Sequence, residues 1–155
     1  MKVIDKFDGD YAFLSNFYPS RILYDEEEGW HAATVEHAFQ ALKTRSMEEE
    51  IEILFASTPG QAKRLGRICQ LRPDWEQVKD GTMESLIRAK FSIPALRDKL
   101  LATGNATLVE GNYWHDNYWG VCHCEKCQEK GQNKLGQILM KVREEIRNDL
   151  SRITE

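Results

Sequence analysis

Residues 34–44 read TVEHAFQALKT, and here the chain changes character from short aromatic stretches to helices. Thr34 suits an N-cap, and Val35, Phe39 and Leu42 recur at the spacing of one apolar stripe. At 3.6 residues per turn, Glu36, Gln40 and Lys43 fall within roughly a 60° arc beside that stripe. Glu36 and Lys43 are about two turns apart, roughly 10 Å along the axis, so their side chains can converge on one small molecule without pairing. His37 lies about 100° away and points toward a different neighbour. Spacing alone favours an exposed polar edge over a catalytic one.

Upstream, FDGDYAFLSNFYPSRILYDEEEGW (7–30) mixes aromatics with turn formers. YAFL and RILY read as short strands separated by a turn, with an acidic turn closing at Gly29. Downstream, Ser46 and Glu49 have capping-box spacing, with Ile51, Leu54 and Phe55 as the buried side of their helix. Thr58 and Pro59 open the next helix. Asp74 starts another, with Trp75, Val78, Leu86 and Ile87 as core positions and Gly81 weakening its middle. Pro94 opens a shorter helix that stops near Gly104. ATLVEG (106–111) is a late strand, residues 112–131 are an aromatic, Cys-containing loop, and Leu135, Ile138, Leu139, Val142 and Ile146 mark a final helix. Helices dominate and the strands are few and short, so the fold class is α+β, a compact, mainly helical single domain over 1–155 with its core at about 7–147.

A chain of 155 residues, 41% hydrophobic and 30% charged, buries a core without staples. Its net charge of −4 provides no global field for nucleic acid. No apolar run is long enough for a membrane helix, and the N-terminus lacks a signal-peptide core. The four cysteines are therefore expected to be reduced thiols in a cytoplasm.

The segments FLSNFYPS, W…EHAFQALK, AKRLGR, WEQVKDGTMESLIRAKF, LVEG…DNYWG and GQNKLGQILM, in that order, resemble the YbiA-like family, also called NADAR for NAD- and ADP-ribose-associated proteins. The resemblance runs from about Phe7 to Arg147. It implies a compact, mainly helical α+β domain and an N-glycosidase acting on ribosylamine-type substrates without a cofactor. Those substrates are riboflavin-pathway intermediates that release ribose 5-phosphate, or ADP-ribose attached to guanine in nucleic acid. Glu36 and Lys43 match the family's EH.FQ..K motif. Lys43 is then the nucleophile that forms a Schiff base, with Glu36 moving protons. Direct hydrolysis, with Glu36 activating water and Lys43 holding a phosphate, is the competing mechanism.

The same resemblance implies substrate contacts for Ser15 and Asn16 on ribose or phosphate, and for Phe17 on the base. It adds Gln40 and the aromatic Trp30, though a tryptophan there also suits the core. In DNYWG, Asp116 would hold ribose hydroxyls, Trp119 would stack on the base, and Gly120 would let backbone approach the ligand. The amides of Gly131, Gln132 and Asn133 at the start of the last helix would seat a phosphate, or Asn133 would simply cap it. Arg67, ahead of Lys63, is the phosphate cation. Cys122, Cys124 and Cys127 in CHCEKC offer three thiols to zinc, with His115, His123 or Cys69 as a possible fourth ligand; reduced thiols in a variable loop are the plainer reading. A non-catalytic ADP-ribose or nucleotide sensor is the alternative function, and Glu36 with Lys43 on one edge argues against it.

Overall fold

The computed structural model describes residues 2–154, so Met1 and Glu155, the ends of the expected 1–155 domain, lie outside the described residues. The chain divides into two compact units. One is Asn16–Lys90; the other combines the segment up to Ser15 with the segment from Phe91 onward.

In the Asn16–Lys90 unit, strands β2 (Ile22–Asp25) and β3 (Trp30–Ala32) form an antiparallel hairpin. Its turn uses Gly29 at φ 71°, a left-handed conformation that glycine adopts freely. Helices α1 (Val35–Ala41), α2 (Met47–Leu54), α3 (Pro59–Ile68) and α4 (Trp75–Lys90) follow. Thr34 caps α1 by accepting from the His37 amide at 3.1 Å, and Ser46 and Thr58 cap α2 and α3 in the same way. The capping box at α2 is half-formed. Glu49 does not reach back to Ser46; its carboxylate accepts from the Thr44 hydroxyl and the Gln70 amide instead.

Helix α1 is the core of this unit. All seven of its residues are buried, which overturns the exposed polar edge that spacing favoured. Packing against α2, α3 and α4 leaves it no solvent face. Phe39 meets Trp75 of α4 with ring centroids 5.0 Å apart, and burying a phenylalanine contributes about 1.5–3 kcal/mol. On α2 the buried pair is Ile53 and Leu54, whereas Ile51 and Phe55 are exposed.

In the other unit, residues 11–14 are not a strand: Gly9–Leu14 is a 3-10 helix that buries Phe13 and Leu14. Strand β1 (Val3–Ile4) pairs in parallel with β4 (Thr107–Leu108), and β5 (Gly111–Asn112) with β6 (Val121–Cys122). The expected single strand at 106–111 is thus broken between β4 and β5. Helix α5 (Pro94–Ala102) ends before Gly104 at φ 62°, and α6 (Lys134–Thr154) buries Leu135, Ile138, Leu139 and Val142. No helix among the described residues is long and apolar enough to cross a membrane.

Candidate active site

The chemistry-bearing residues of α1 are held from several sides. The amide of Glu36, one of the N-terminal donors a helix leaves unpaired, donates to the Asn16 carbonyl at 3.1 Å. Its carboxylate accepts from Gln40 Nε2 at 2.8 Å, one turn on. Gln40 Oε1 is buried, has no hydrogen-bond partner among the described residues, and lies against Gly66 of α3. A Cβ on Gly66 would stand 1.9 Å from that oxygen. The missing side chain is therefore what lets α3 approach the Glu36–Gln40 pair, a role that the motif AKRLGR does not reveal in sequence.

His37 is structural. Its Nε2 lies 2.9 Å from the Ala56 carbonyl, which can only accept, so Nε2 carries a proton. Nδ1 then accepts from the Thr34 hydroxyl at 2.8 Å. Its different neighbour is thus the α1 cap and the end of α2.

Lys43 lies just beyond α1, not on it, because the helix ends at Ala41. A tight turn continues the chain, with the Lys43 amide donating to Gln40 O at 3.2 Å and its carbonyl accepting from the Arg72 amide at 2.7 Å. The backbone of Lys43 is thereby fixed at both polar groups. Its side chain is half-buried, with Nζ 5.9 Å from the Phe39 ring centroid. Burial pushes the ammonium below its ordinary pKa. Glu36 and Cys69 pull it back up, while Lys63 and Arg67 push it further down. Glu36, Cys69, Lys63 and Arg67 therefore all lie within electrostatic reach of this amine.

Around it, Phe17 is exposed and stands 5.9 Å from the Lys63 ammonium. Arg67 is exposed one turn further along α3. Asn16 donates from Nδ2 to Met83 Sδ at 3.5 Å, and its buried Oδ1 has no hydrogen-bond partner among the described residues. Trp30 turns edge-on to Phe55 at 5.6 Å, a packing contact at the end of α2. Lys90, which no local pattern singles out, is fully buried with its ammonium 5.8 Å from the Tyr18 ring.

The remaining expected contacts belong to the other unit. Ser15 ends the 3-10 helix, its amide donating to Ala12 O at 3.0 Å. Asp116 Oδ1 accepts from the amides of Tyr118 and Trp119 at 3.1 and 2.9 Å, and the Trp119 ring packs edge-on against Tyr118. Asn112, missed in the sequence, organises this loop. It is buried, donates to the carbonyls of Asp116 and Val121, and accepts from the amides of Trp114 and Asp116.

Two expectations fail here. The amides of Gln132, Asn133, Lys134 and Leu135 donate to the carbonyls of Asn117, Gly120, Tyr118 and Trp119, so the Gln132 and Asn133 amides are not a phosphate seat. Asn133 does not cap α6 with its side chain either, which ties Leu108 O to the Glu110 amide. Gly120 is accounted for by the Glu110 carbonyl, 2.2 Å from where a Cβ would sit. Cys122, Cys124 and Cys127 come together with His115, while Cys69 donates its thiol hydrogen to Gly66 O.

Comparison with known proteins places this arrangement. The NADAR domain matches residues 4–147. An N-glycosidase from Nostoc punctiforme is 43% identical over 147 residues, covering 91% of this chain and 89% of that one. The Escherichia coli N-glycosidase YbiA is 41% identical over 140 residues, covering 88% and 82%. The NMR structure of E. coli YbiA superposes with a TM-score of 0.79 at 38% identity, over 96% of this chain and 88% of that one. A maize chloroplastic riboflavin biosynthesis protein, PYRR, is 36% identical over 153 residues, which are 88% of this chain but 23% of that protein. With the motif EHAFQALK spanning the buried helix α1 and the turn that follows it, and with the match covering residues 4–147, the chain belongs to the NADAR family.

Proposed function

We propose that this chain is an N-glycosidase that hydrolyses the C1–N bond of a phosphorylated ribosylaminopyrimidine of the riboflavin-intermediate type, with Lys43 as nucleophile and Glu36 as proton carrier. The activity class is the one its 43% and 41% identical relatives carry in their names, and the substrate class follows the name of the maize relative. One NADAR match, over residues 4–147, takes in most of both units, which supports reading them as a single domain.

The observation that carries the mechanism is the environment of Lys43. An amine attacks carbon only when neutral, and burial beside Phe39 raises its neutral fraction. The substrate's C1–N bond is an aminal, so the ring opens to an iminium as the ring oxygen takes a proton. Lys43 Nζ adds to C1, and Glu36 moves a proton from the new ammonium to the departing nitrogen. The C1–N bond to the base breaks, leaving a Schiff base on Lys43. Water adds to that carbon, Glu36 takes its proton, and collapse returns the free lysine with the open-chain sugar phosphate. Lys63 and Arg67 supply the positive charge that suits the phosphate. The buried Asn16 Oδ1 is an acceptor, so it suits a ribose hydroxyl and not a phosphate oxygen.

The test is a panel of ribosylaminopyrimidine phosphate against ADP-ribosylated DNA, with released reducing sugar quantified for wild type and Lys43→Ala. Release from the first substrate, abolished in Lys43→Ala, is expected. Tight binding of ADP-ribose without turnover of either would make the chain a sensor, and full turnover by Lys43→Ala would leave direct hydrolysis as the mechanism.

A further inference from the structure

The loop between β5 and α6 brings four potential metal ligands to one point. The ligand atoms of His115, Cys122, Cys124 and Cys127 all lie within 4.8 Å of one another. His115 Nδ1 is 3.3 Å from Cys127 Sγ, 3.4 Å from Cys124 Sγ and 3.9 Å from Cys122 Sγ. Zinc bonds of about 2.3 Å to sulfur and about 2.1 Å to nitrogen, at tetrahedral angles, put ligand atoms roughly 3.6–3.8 Å apart. The three imidazole–sulfur distances bracket that spacing. We propose that His115, Cys122, Cys124 and Cys127 form a closed, structural zinc site that fixes the 115–127 loop.

The backbone around the cluster is built for this geometry. Cys124 and Cys127 form a knuckle in which the Cys127 amide donates to Cys124 Sγ at 3.3 Å, and Asn117 Nδ2 donates to Cys127 Sγ at 3.6 Å. N–H donors aimed at the sulfurs are the kind of outer contact that orients thiolate ligands around a metal. The knuckle turns back through Gln128 and Glu129 at φ 51° and 61°. Strand β6 holds Cys122 in register, its amide donating to Lys130 O at 3.1 Å, and buries it fully. His115 adopts φ 70°, an uncommon conformation for a side-chain-bearing residue, and from there its imidazole meets all three sulfurs. His123, between two of the cysteines in sequence, is turned away. Its ring packs 5.9 Å from Tyr113, and Nδ1 lies 3.6 Å from Glu129.

A disulfide would engage two of the thiols and leave the third and the imidazole unexplained; all the cysteines are free. Three soft sulfur ligands and one imidazole in a tetrahedral array select zinc over calcium, magnesium or manganese. With every position filled by protein, the metal offers no open site for substrate, so its work is structural. The loop it closes carries Asp116, Trp119 and Gly120.

The full chain, expressed in zinc-containing medium and purified without chelator, is assayed by elemental mass spectrometry, with thiols verified as reduced. About one zinc per chain is expected. Cys124→Ser and His115→Ala each lose at least tenfold in zinc retained after dialysis, and His123→Ala retains it. Because a ligand variant can misfold, cobalt(II) is also titrated into wild-type protein stripped of metal. The proposal predicts saturation at one equivalent, with thiolate charge-transfer absorption and the intense visible bands of a tetrahedral site. Zinc far below one equivalent together with no cobalt–thiolate absorption would overturn the site. Loss of metal in His123→Ala but not in His115→Ala would overturn the ligand assignment.

Discussion

Replacing Gly66 by alanine sets two opposing effects against each other at the active site. Gly66 lies inside α3, where alanine favours the helix by about 1 kcal/mol over glycine. The new methyl, however, would stand 1.9 Å from Gln40 Oε1, 2.8 Å from Cδ and 3.1 Å from Cβ. Non-bonded contact needs roughly 3.5 Å, so Oε1 must retreat by about 1.5 Å. Oε1 and Nε2 share one rigid planar amide, so that retreat breaks the 2.8 Å bond from Nε2 to Glu36. A hydrogen bond to a charged group contributes about 1.5–3 kcal/mol, and any residual overpacking costs about 1–3 more. Gly66→Ala should therefore lose about 1.5–5 kcal/mol net, lowering Tm by roughly 3–20 °C. Its kcat should fall at least about tenfold as Glu36 loses the Gln40 amide that orients it, within the range of acid–base contributions. Circular-dichroism melts and sugar-release kinetics measure the two. In a Gln40→Ala background the clash is largely gone, and the same substitution should be neutral or stabilising by up to about 1 kcal/mol. A Gly66→Ala protein more stable than wild type with unchanged kcat would refute the reasoning.

Three further outcomes follow from the burial of Lys43 and the hydrogen bonds of Asn112. Burial holds Lys43 below its ordinary value of 10.5. The rising limb of kcat/KM with pH should therefore be centred below 10.5, and a limb at or above it would count against the neutral-amine mechanism. Between the folded and unfolded pKa values the unfolded chain binds more protons, so this residue makes stability rise with pH there, and Lys43→Met should remove that dependence. Asn112→Ala removes four hydrogen bonds to part-buried backbone groups of the 112–121 loop, a cost of about 2–4 kcal/mol that should appear as a lower Tm and lost amide protection across that loop.

The helices were legible because their signals are local. Thr34, Ser46 and Thr58 cap as their sequence positions imply, and Pro59 and Pro94 open α3 and α5. Residues 11–14 misled because an aromatic-rich run serves a 3-10 turn as well as a strand once tertiary packing takes its rings, here Phe13. The site's residue types were readable, but their burial was not. Periodicity places Glu36 and Gln40 on one arc without saying whether solvent or another helix covers it, and α3 covers it through Gly66. The phosphate seat failed at Gln132 and Asn133 for a similar reason, since the carbonyls that occupy those two amides come from Asn117 and Gly120, out of view of any local pattern. His115 joined the cysteines only once the backbone had turned.

Trapping a covalent sugar adduct on Lys43 is the decisive experiment. Wild-type protein turning over ribosylaminopyrimidine phosphate is quenched with borohydride, digested and mapped by mass spectrometry. One added reduced ribose phosphate is expected, confined to the peptide carrying Lys43 and missing from Lys43→Ala. Unmodified Lys43 during full turnover, or an adduct on another lysine that survives Lys43→Ala, would contradict Lys43 as the nucleophile.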